Sequence, residues 1–453
     1  MDIKLGSIVK GEVIDFTHEG KGVIKVDNFT VFVEGGLIGD KVEAKIDEMK
    51  KSFAIGTVTQ ILEASEDRVK LDYPIEESMG SIPLIEYKYS KQLEWKRNKV
   101  KKDLERIGKI KDVEVNETLG MEDSFRYRNH VQIPVGTKDH KTVVGFYELN
   151  SRDIVDMKES ILMPEIGNKI LKIIRNWIDQ YNIKAYDKKT KDGILRHIGI
   201  RINKDNKAMV ILVTGSKKLP EKNELINLLI GELEEIESIY HNVNTMKSPV
   251  VYGDEYYKIY GEDKLIDSIG DYKFHISPNS FFQVNRTQSE VLYDVATKYL
   301  NPNREDTIFD LYSGIGTIPI YIADKVKYIY GIESVDEAVK DANENTKLNN
   351  VSNIQFIQGR SEIILDRLVD QIPEGNKIIL DPPRGGVEEE VLGAIIKMSP
   401  ETIVYISCNS TTLARDAKYL VSNGYKIKEV QPVDMFPHTT HVEVVTLLQK
   451  EDK

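Results

Sequence analysis

Thr307-Ile308-Phe309-Asp310-Leu311-Tyr312-Ser313-Gly314-Ile315-Gly316 decides the fold. A short apolar run ends in an acid, and two glycines one residue apart follow it. Glycines at a strand-to-helix turn let a ligand approach the backbone. About twenty positions on, Tyr328-Ile329-Tyr330-Gly331-Ile332-Glu333 again ends in an acid, which can accept hydrogen bonds from a ribose. Runs at 354–357, 378–381 and 403–407 alternate with amphipathic helical segments. That pattern predicts an α/β fold with a doubly wound, mostly parallel sheet. The last two runs, around 427–433 and 442–448, have no helix between them and predict a hairpin, hence an antiparallel edge.

In such a sheet, ligands bind outside the carboxyl ends of the strands. The fourth strand ends there in Asp381-Pro382-Pro383-Arg384, and the fifth in Ser407-Cys408-Asn409-Ser410. A lone cysteine is most often a small buried hydrophobe. Cys408, however, precedes a helix, and a helix N-terminus lowers a thiol pKa from about 8.5 and favours the thiolate. Both readings stay open on position alone. A nicotinamide cofactor wants a third glycine near position 319, where Pro319 stands. The short Gly-Ile-Gly fits S-adenosylmethionine better.

Towards the N-terminus, residues 1–60 read as short strands with turn chemistry at Glu19-Gly20 and Gly35-Gly36, a small β-barrel. Residues 61–270 mix helices and strands. Within them Lys96 to Asp112 is a helix-like stretch with eight basic residues against three acidic. It reads either as a solvated face or as a surface for phosphate.

The 453 residues suggest two to four domains. The single cysteine excludes an intramolecular disulfide and a four-thiolate cluster, and suits a reducing compartment. No His/Cys metal spacing is present. No signal peptide and no span of ~20 apolar residues is seen, so no membrane partner is expected and the cytoplasm is the expected compartment. The sequence names no protein partner. A net charge of −11 argues against indiscriminate polyanion binding, yet leaves room for a local basic face.

Taken together, these motifs resemble the RNA uracil-5-methyltransferases. Phe281-Phe282-Gln283-Val284-Asn285 is similar to the family's Phe-x-Gln-x-Asn segment, and 310–316, Glu333, 381–384, 407–409 and His441-Val442-Glu443 follow in the family's order. Gln431 to Thr439 looks most like the Gram-positive enzymes acting on 23S ribosomal RNA. The resemblance implies a TRAM-like, OB-like barrel over 1–60 and a central α+β RNA-recognition domain over 61–270. It implies a Rossmann-like methyltransferase domain over 271–453, with about 91–115 packed against it. It implies S-adenosylmethionine as cofactor, held by Gln283, Tyr312, Gly314, Glu333 and Asp381. Cys408 is then the nucleophile towards carbon 6 of uracil, Glu443 the base that removes the carbon 5 proton, and Asp381 a hydrogen-bond partner beside them. The expected substrate is RNA, specifically 23S ribosomal RNA. A transfer-RNA enzyme and an inactive RNA-binding or ribosome-assembly factor are the alternatives. Where many relatives place four iron–sulfur cysteines, this chain has Tyr73, Met79, Ile82 and Ser160, so no cluster is expected. Met79 and Ile82 are expected to pack in its place.

Overall fold

The computed structural model describes residues 3–71, 80–148, 151, 153–247, 249–368 and 376–451. The N-terminal sheet holds β1 (Ile8–Glu12), β2 (Asp15–Phe16), β3 (Gly22–Val26), β4 (Phe29–Glu34), β5 (Lys41–Met49) and β6 (Phe53–Glu63). Its order is β1-β5-β6-β4-β3-β2, and β4 pairs parallel with β6. Alternate residues such as Val31, Val33, Val42, Ala44 and Ile46 fill its interior, as a half-buried strand requires. At Gly56 a Cβ would lie 2.4 Å from the Lys45 carbonyl oxygen, so only glycine lets β5 and β6 cross there.

Helix α1 (Tyr89–Asp103) follows. A second sheet is built from β7 (His130–Lys138), β8 (Lys141–Val144), β9 (Leu195–Ile202), β10 (Ala208–Thr214), β11 (Ile236–Val243) and β12 (Glu255–Gly261), in the order β12-β11-β10-β9-β7-β8. Helices α2 (Glu165–Gln180) and α3 (Lys222–Glu232) cover one face, where Ile198, Ile200 and Ile202 of β9 pack with Ile170, Ile174 and Leu229. The other face of β9 presents His197 and Arg201 to a cleft. Leu195 pairs with Thr214 and His197 with Val213, so Arg196 is an extra, bulged residue. A bulge re-aims side chains, which is how neighbouring Arg196 and His197 both reach the cleft.

A hairpin of β13 (Leu265–Ile269) and β14 (Tyr272–Ile276) leads to α4 (Arg286–Leu300) and the third sheet. This comprises β15 (Thr307–Asp310), β16 (Tyr328–Glu333), β17 (Ile354–Gln358), β18 (Lys377–Leu380), β19 (Thr402–Ser407), β20 (Tyr425–Val433) and β21 (Glu443–Lys450). Between them run α5 (Thr317–Ile322), α6 (Asp336–Leu348), α7 (Ser361–Leu368), α8 (Glu389–Met398) and α9 (Ser410–Ser422). The order is β17-β16-β15-β18-β19-β21-β20, with β15 to β19 parallel and β21 antiparallel to both its neighbours. The α/β, doubly wound fold with its antiparallel edge is therefore as the strand pattern predicts.

The charged stretch from Lys96 is split: Lys101, Arg106, Lys109 and Lys111 stand exposed, as a solvated face requires, and the other four cations turn inward. Helix α1 packs on α9, and its Trp95 packs with Phe16 and Leu37 of the N-terminal region. Lys96 is fully buried, with its ammonium 2.5 Å from Asp434 Oδ1. Lys99 donates to Asp103 and Ser410, Lys102 to Asp15, and Arg97 Nε to the Val115 carbonyl. Trp95 Nε1 also donates to Asp15, at 2.7 Å. The helix thus ties the N-terminal sheet to the third sheet.

Of the four positions where relatives carry cluster cysteines, Tyr73 and Met79 lie outside the described residues. Ile82 is buried with Ile85, Tyr127 and Leu162. The Ser160 hydroxyl accepts from the Leu162 amide.

Candidate active site

The carboxyl ends of β15, β16, β18 and β19 converge on one edge of the third sheet. At the first, Asp310 is 1% exposed. Its Oδ1 accepts from the Tyr312 amide and its Oδ2 has no partner. Burial, reinforced by Asp381 and Glu333, pushes its pKa up to about 8. Gly314 turns with φ +53°, and a Cβ there would meet open space, so the glycine serves the backbone turn and leaves room above it. Glu333 braces this turn: one oxygen accepts from the Gly314 amide at 3.0 Å, the other from Val335 at 2.8 Å. Carboxylate oxygens have two lone pairs each, so Glu333 keeps acceptor capacity for a ribose.

The Phe281–Asn285 segment is clamped from three sides. Asn285 caps α4 by accepting from the Gln288 amide, and donates to the Met435 carbonyl. The Asn129 amide and side chain donate to the carbonyls of Val284 and Gln283. Gln283 is thereby buried beside Tyr293, whose hydroxyl bonds Thr317 Oγ1. Phe281, in contrast, is 72% exposed on the cleft.

Cys408 follows β19 directly. Ser407 pairs with Val444, so continuing the antiparallel register by one places Cys408 opposite Glu443. Asp381 ends the neighbouring strand β18. The four groups Cys408, Glu443, Asp381 and Arg384 feel one another. Burial, then Asp381, raises Glu443 to about 8, while Arg384 opposes. Burial raises Asp381 to about 7. Burial, Glu443 and Asp381 push the Cys408 thiol up to about 11, against Arg384. The lowered thiol pKa expected from the helix N-terminus is thus corrected. Desolvation first, and then two adjacent carboxylates, outweigh the α9 dipole, whose first turn is already capped by Asn409.

The linkage of Glu443 has a definite sign. Its folded pKa lies above the unfolded value of 4.5, so it stabilises below 4.5 and loses that contribution as pH rises through about 8. The buried histidines His197, His438 and His441, lowered to about 4, act in the opposite sense only below about pH 6.5. Between pH 6.5 and 8.5, therefore, the wild-type denaturation midpoint should fall more steeply than that of Glu443→Gln. Parallel slopes in thermal unfolding would refute this assignment.

A cleft of about 1300 Å³ opens between the second sheet, the 279–284 segment and the 436–441 loop. Arg128, Lys188, Arg196, Arg201, Lys247 and Arg384 line it, against one acid, Glu19. This is a local basic face in an acidic chain. Its cations are scattered from Arg128 to Arg384 along the chain, so no one stretch of sequence shows the face. Among the described residues no cluster of His, Cys, Asp or Glu is arranged to hold a metal ion, and no helix is long and apolar enough to cross a membrane.

Comparison with known proteins points to a family. Residues 259–451 match the family model "tRNA (Uracil-5-)-methyltransferase", and residues 4–59 match the TRAM domain. The chain is 44% identical over 431 residues to an RNA methyltransferase of Clostridium tetani described as uncharacterized, covering 95% of this chain and 94% of that one. It is 40% identical to a similarly described protein of Halalkalibacterium halodurans over 99% of this chain and 98% of that one. It is also similar to the crystal structure of the Pyrococcus abyssi tRNA (uracil-54, C5)-methyltransferase in complex with S-adenosyl-L-homocysteine. That match has a TM-score of 0.77 and 28% identity, over 97% of this chain and 100% of that one.

Proposed function

Because the chain belongs to the RNA uracil-5-methyltransferase family, we propose that it methylates carbon 5 of a uridine in 23S ribosomal RNA through a covalent adduct on Cys408. At the coarser level it is an S-adenosylmethionine-dependent RNA (uracil-5-)-methyltransferase. The observation that carries the mechanism is the register that sets Cys408 opposite Glu443, with Asp381 and Arg384 beside them.

The residues present fit the cofactor. Asp310 Oδ2 and Ser313 Oγ are buried without partners beside the open space over Gly314. Gln283, Tyr312, Gly314, Glu333 and Asp381 would hold it, and when bound it supplies an electrophilic methyl group. Carbon 5 of uracil is a weak nucleophile until carbon 6 is attacked. The Cys408 thiolate forms an S–C6 bond, which makes carbon 5 nucleophilic. After methylation, Glu443 takes the remaining carbon 5 proton. The electrons of that C–H bond form the C5=C6 double bond as the S–C6 bond breaks and the thiolate leaves. A carboxylate with pKa about 8 is well matched to proton transfer near neutral pH. The target base must leave its stack to reach the thiol. The exposed ring of Phe281 offers it, or the gap it leaves, a stacking surface.

Similarity of Gln431–Thr439 to the ribosomal enzymes supports 23S RNA. The Pyrococcus abyssi structure favours transfer RNA as the second reading. The test uses 5-fluorouridine, which has no carbon 5 proton to lose. Transcripts of 23S and transfer RNA carrying it are incubated with enzyme and S-adenosylmethionine. A denaturant-stable adduct with the 23S transcript is expected. An adduct with transfer RNA alone moves the assignment there, and no adduct or methyl transfer with either defeats catalysis altogether.

A further inference from the structure

We propose that Arg196 is a receptor for one phosphodiester of the bound RNA, in the basic cleft that β9 lines. This rests on RNA being the substrate. It goes beyond the catalytic reading by assigning a phosphate site on β9.

Arg196 is 3% exposed, yet among the described residues no carboxylate pairs with it. Its Nη1 donates to the carbonyl oxygens of Asn244 and Met246, which fixes the plane of the guanidinium. Tyr186 lies beneath it, 5.6 Å from ring centroid to Cζ. The other edge, Nε and Nη2, has no partner. Nε and Nη2 form the side-on fork that accepts two oxygens of one anion. Arg286 shows the filled version in the same molecule: its Nε and Nη2 hold the two oxygens of Asp267 at 2.9 and 2.8 Å. On Arg196 the same fork is open.

A buried cation left without an anion is costly, so folding alone gives no reason for it. The bulge that turns Arg196 towards the cleft adds a second reason to look for a ligand there. Beside it, His197 Nδ1 is also buried and unpartnered. Arg201, 5% exposed, carries a further unpartnered Nε, but its Nη2 is committed to the Ser280 carbonyl, just before Phe281. Five residues of strand at ~3.3 Å each set the two arginines about 16 Å apart. Arg201 is tied to the Ser280 carbonyl beside Phe281, so it is Arg196 that keeps a whole fork for a separate nucleotide.

The experiment compares the full chain with Arg196→Gln and Arg196→Lys. Binding of a fluorescent oligouridylate is titrated across salt concentrations, and thermal midpoints are read without RNA. For single strands each phosphate contact contributes about 0.7 to the slope of log K against log salt. Arg196→Gln should lower the slope by about that amount and weaken binding roughly tenfold at low salt, with the RNA-free midpoint held or raised. Arg196→Lys should keep the slope and recover only part of the affinity, since an ammonium has no fork. A wild-type slope in Arg196→Gln overturns the proposal, whether or not the midpoint falls. Inorganic phosphate is the control anion: if it stabilises the wild type through Arg196 while the oligouridylate slope is unchanged, the site takes free anions and the RNA assignment is wrong. If neither RNA is methylated but the slope depends on Arg196, the proposed reaction fails and this site stands.

Discussion

Cys408→Ala should lower methyl transfer by at least about 10⁴-fold and abolish the 5-fluorouridine adduct, while leaving the fold intact. The size follows from what is removed. Positioning of base and cofactor survives, but carbon 5 is never activated, and loss of a nucleophile from a catalytic set typically costs about 10⁴–10⁶-fold. Cys408 is only partly buried, so the change to alanine leaves a small defect in packing. Burial, with Glu443 and Asp381 beside it, pushes the thiol up to about 11, so the thiol and not the thiolate is the resting form at neutral pH. A neighbouring base must therefore accept the thiol proton as substrate binds; Asp381 stands beside it and leaves Glu443 free for the carbon 5 proton. Radiolabelled transfer and denaturing gels check both parts. An adduct retained by Cys408→Ala would move the nucleophile elsewhere.

Lys96→Met should destabilise the chain by about 3–5 kcal/mol, the usual cost of leaving a buried partner charge uncompensated. Lys96 and Asp434 are both fully buried, and Asp434 also accepts from the Tyr89 hydroxyl at 2.8 Å. Methionine matches the lysine stem in shape but leaves the Asp434 carboxylate stranded. Lys96→Met with Asp434→Asn keeps an acceptor for Tyr89 and removes both charges, so it should recover most of the loss. Urea unfolding followed by fluorescence reports it locally, since Trp95 adjoins the pair. If the double variant is no more stable than the single one, the ion pair is not the source of the defect.

How much was readable in advance depended on distance along the chain. The five parallel strands were legible because each is a short β-branched run whose neighbours lie one helix away, and the site residues sit at the strand ends. Cys408 and Glu443 carry their reading in local motifs, and the register that brings them together follows from the hairpin pattern. Lys96 was misread because nothing within its own helix distinguishes a buried lysine from a solvated one; its partner is 338 residues away. The thiol pKa was misread for a related reason. A helix terminus is visible in sequence, but the burial that outweighs it, and the two carboxylates that add to it, come from the packing of other strands. Arg196 and Arg201 were invisible because Leu195-Arg196-His197-Ile198-Gly199-Ile200-Arg201 gives no sign of a bulge, and a bulge is a property of the pairing with β10.

The Lys96–Asp434 pair also orders events during synthesis. Translation at roughly 5–20 residues per second releases Asp434 about 20–70 s after Lys96. Throughout that interval α1 cannot dock as it does in the finished protein, because its buried ammonium has no anion to meet. The N-terminal sheet can form early, and the second sheet can follow, but the helix that joins them to the catalytic edge must wait. The nascent chain therefore keeps its N-terminal sheet uncoupled from the edge that carries Cys408 until nearly all of it has left the ribosome.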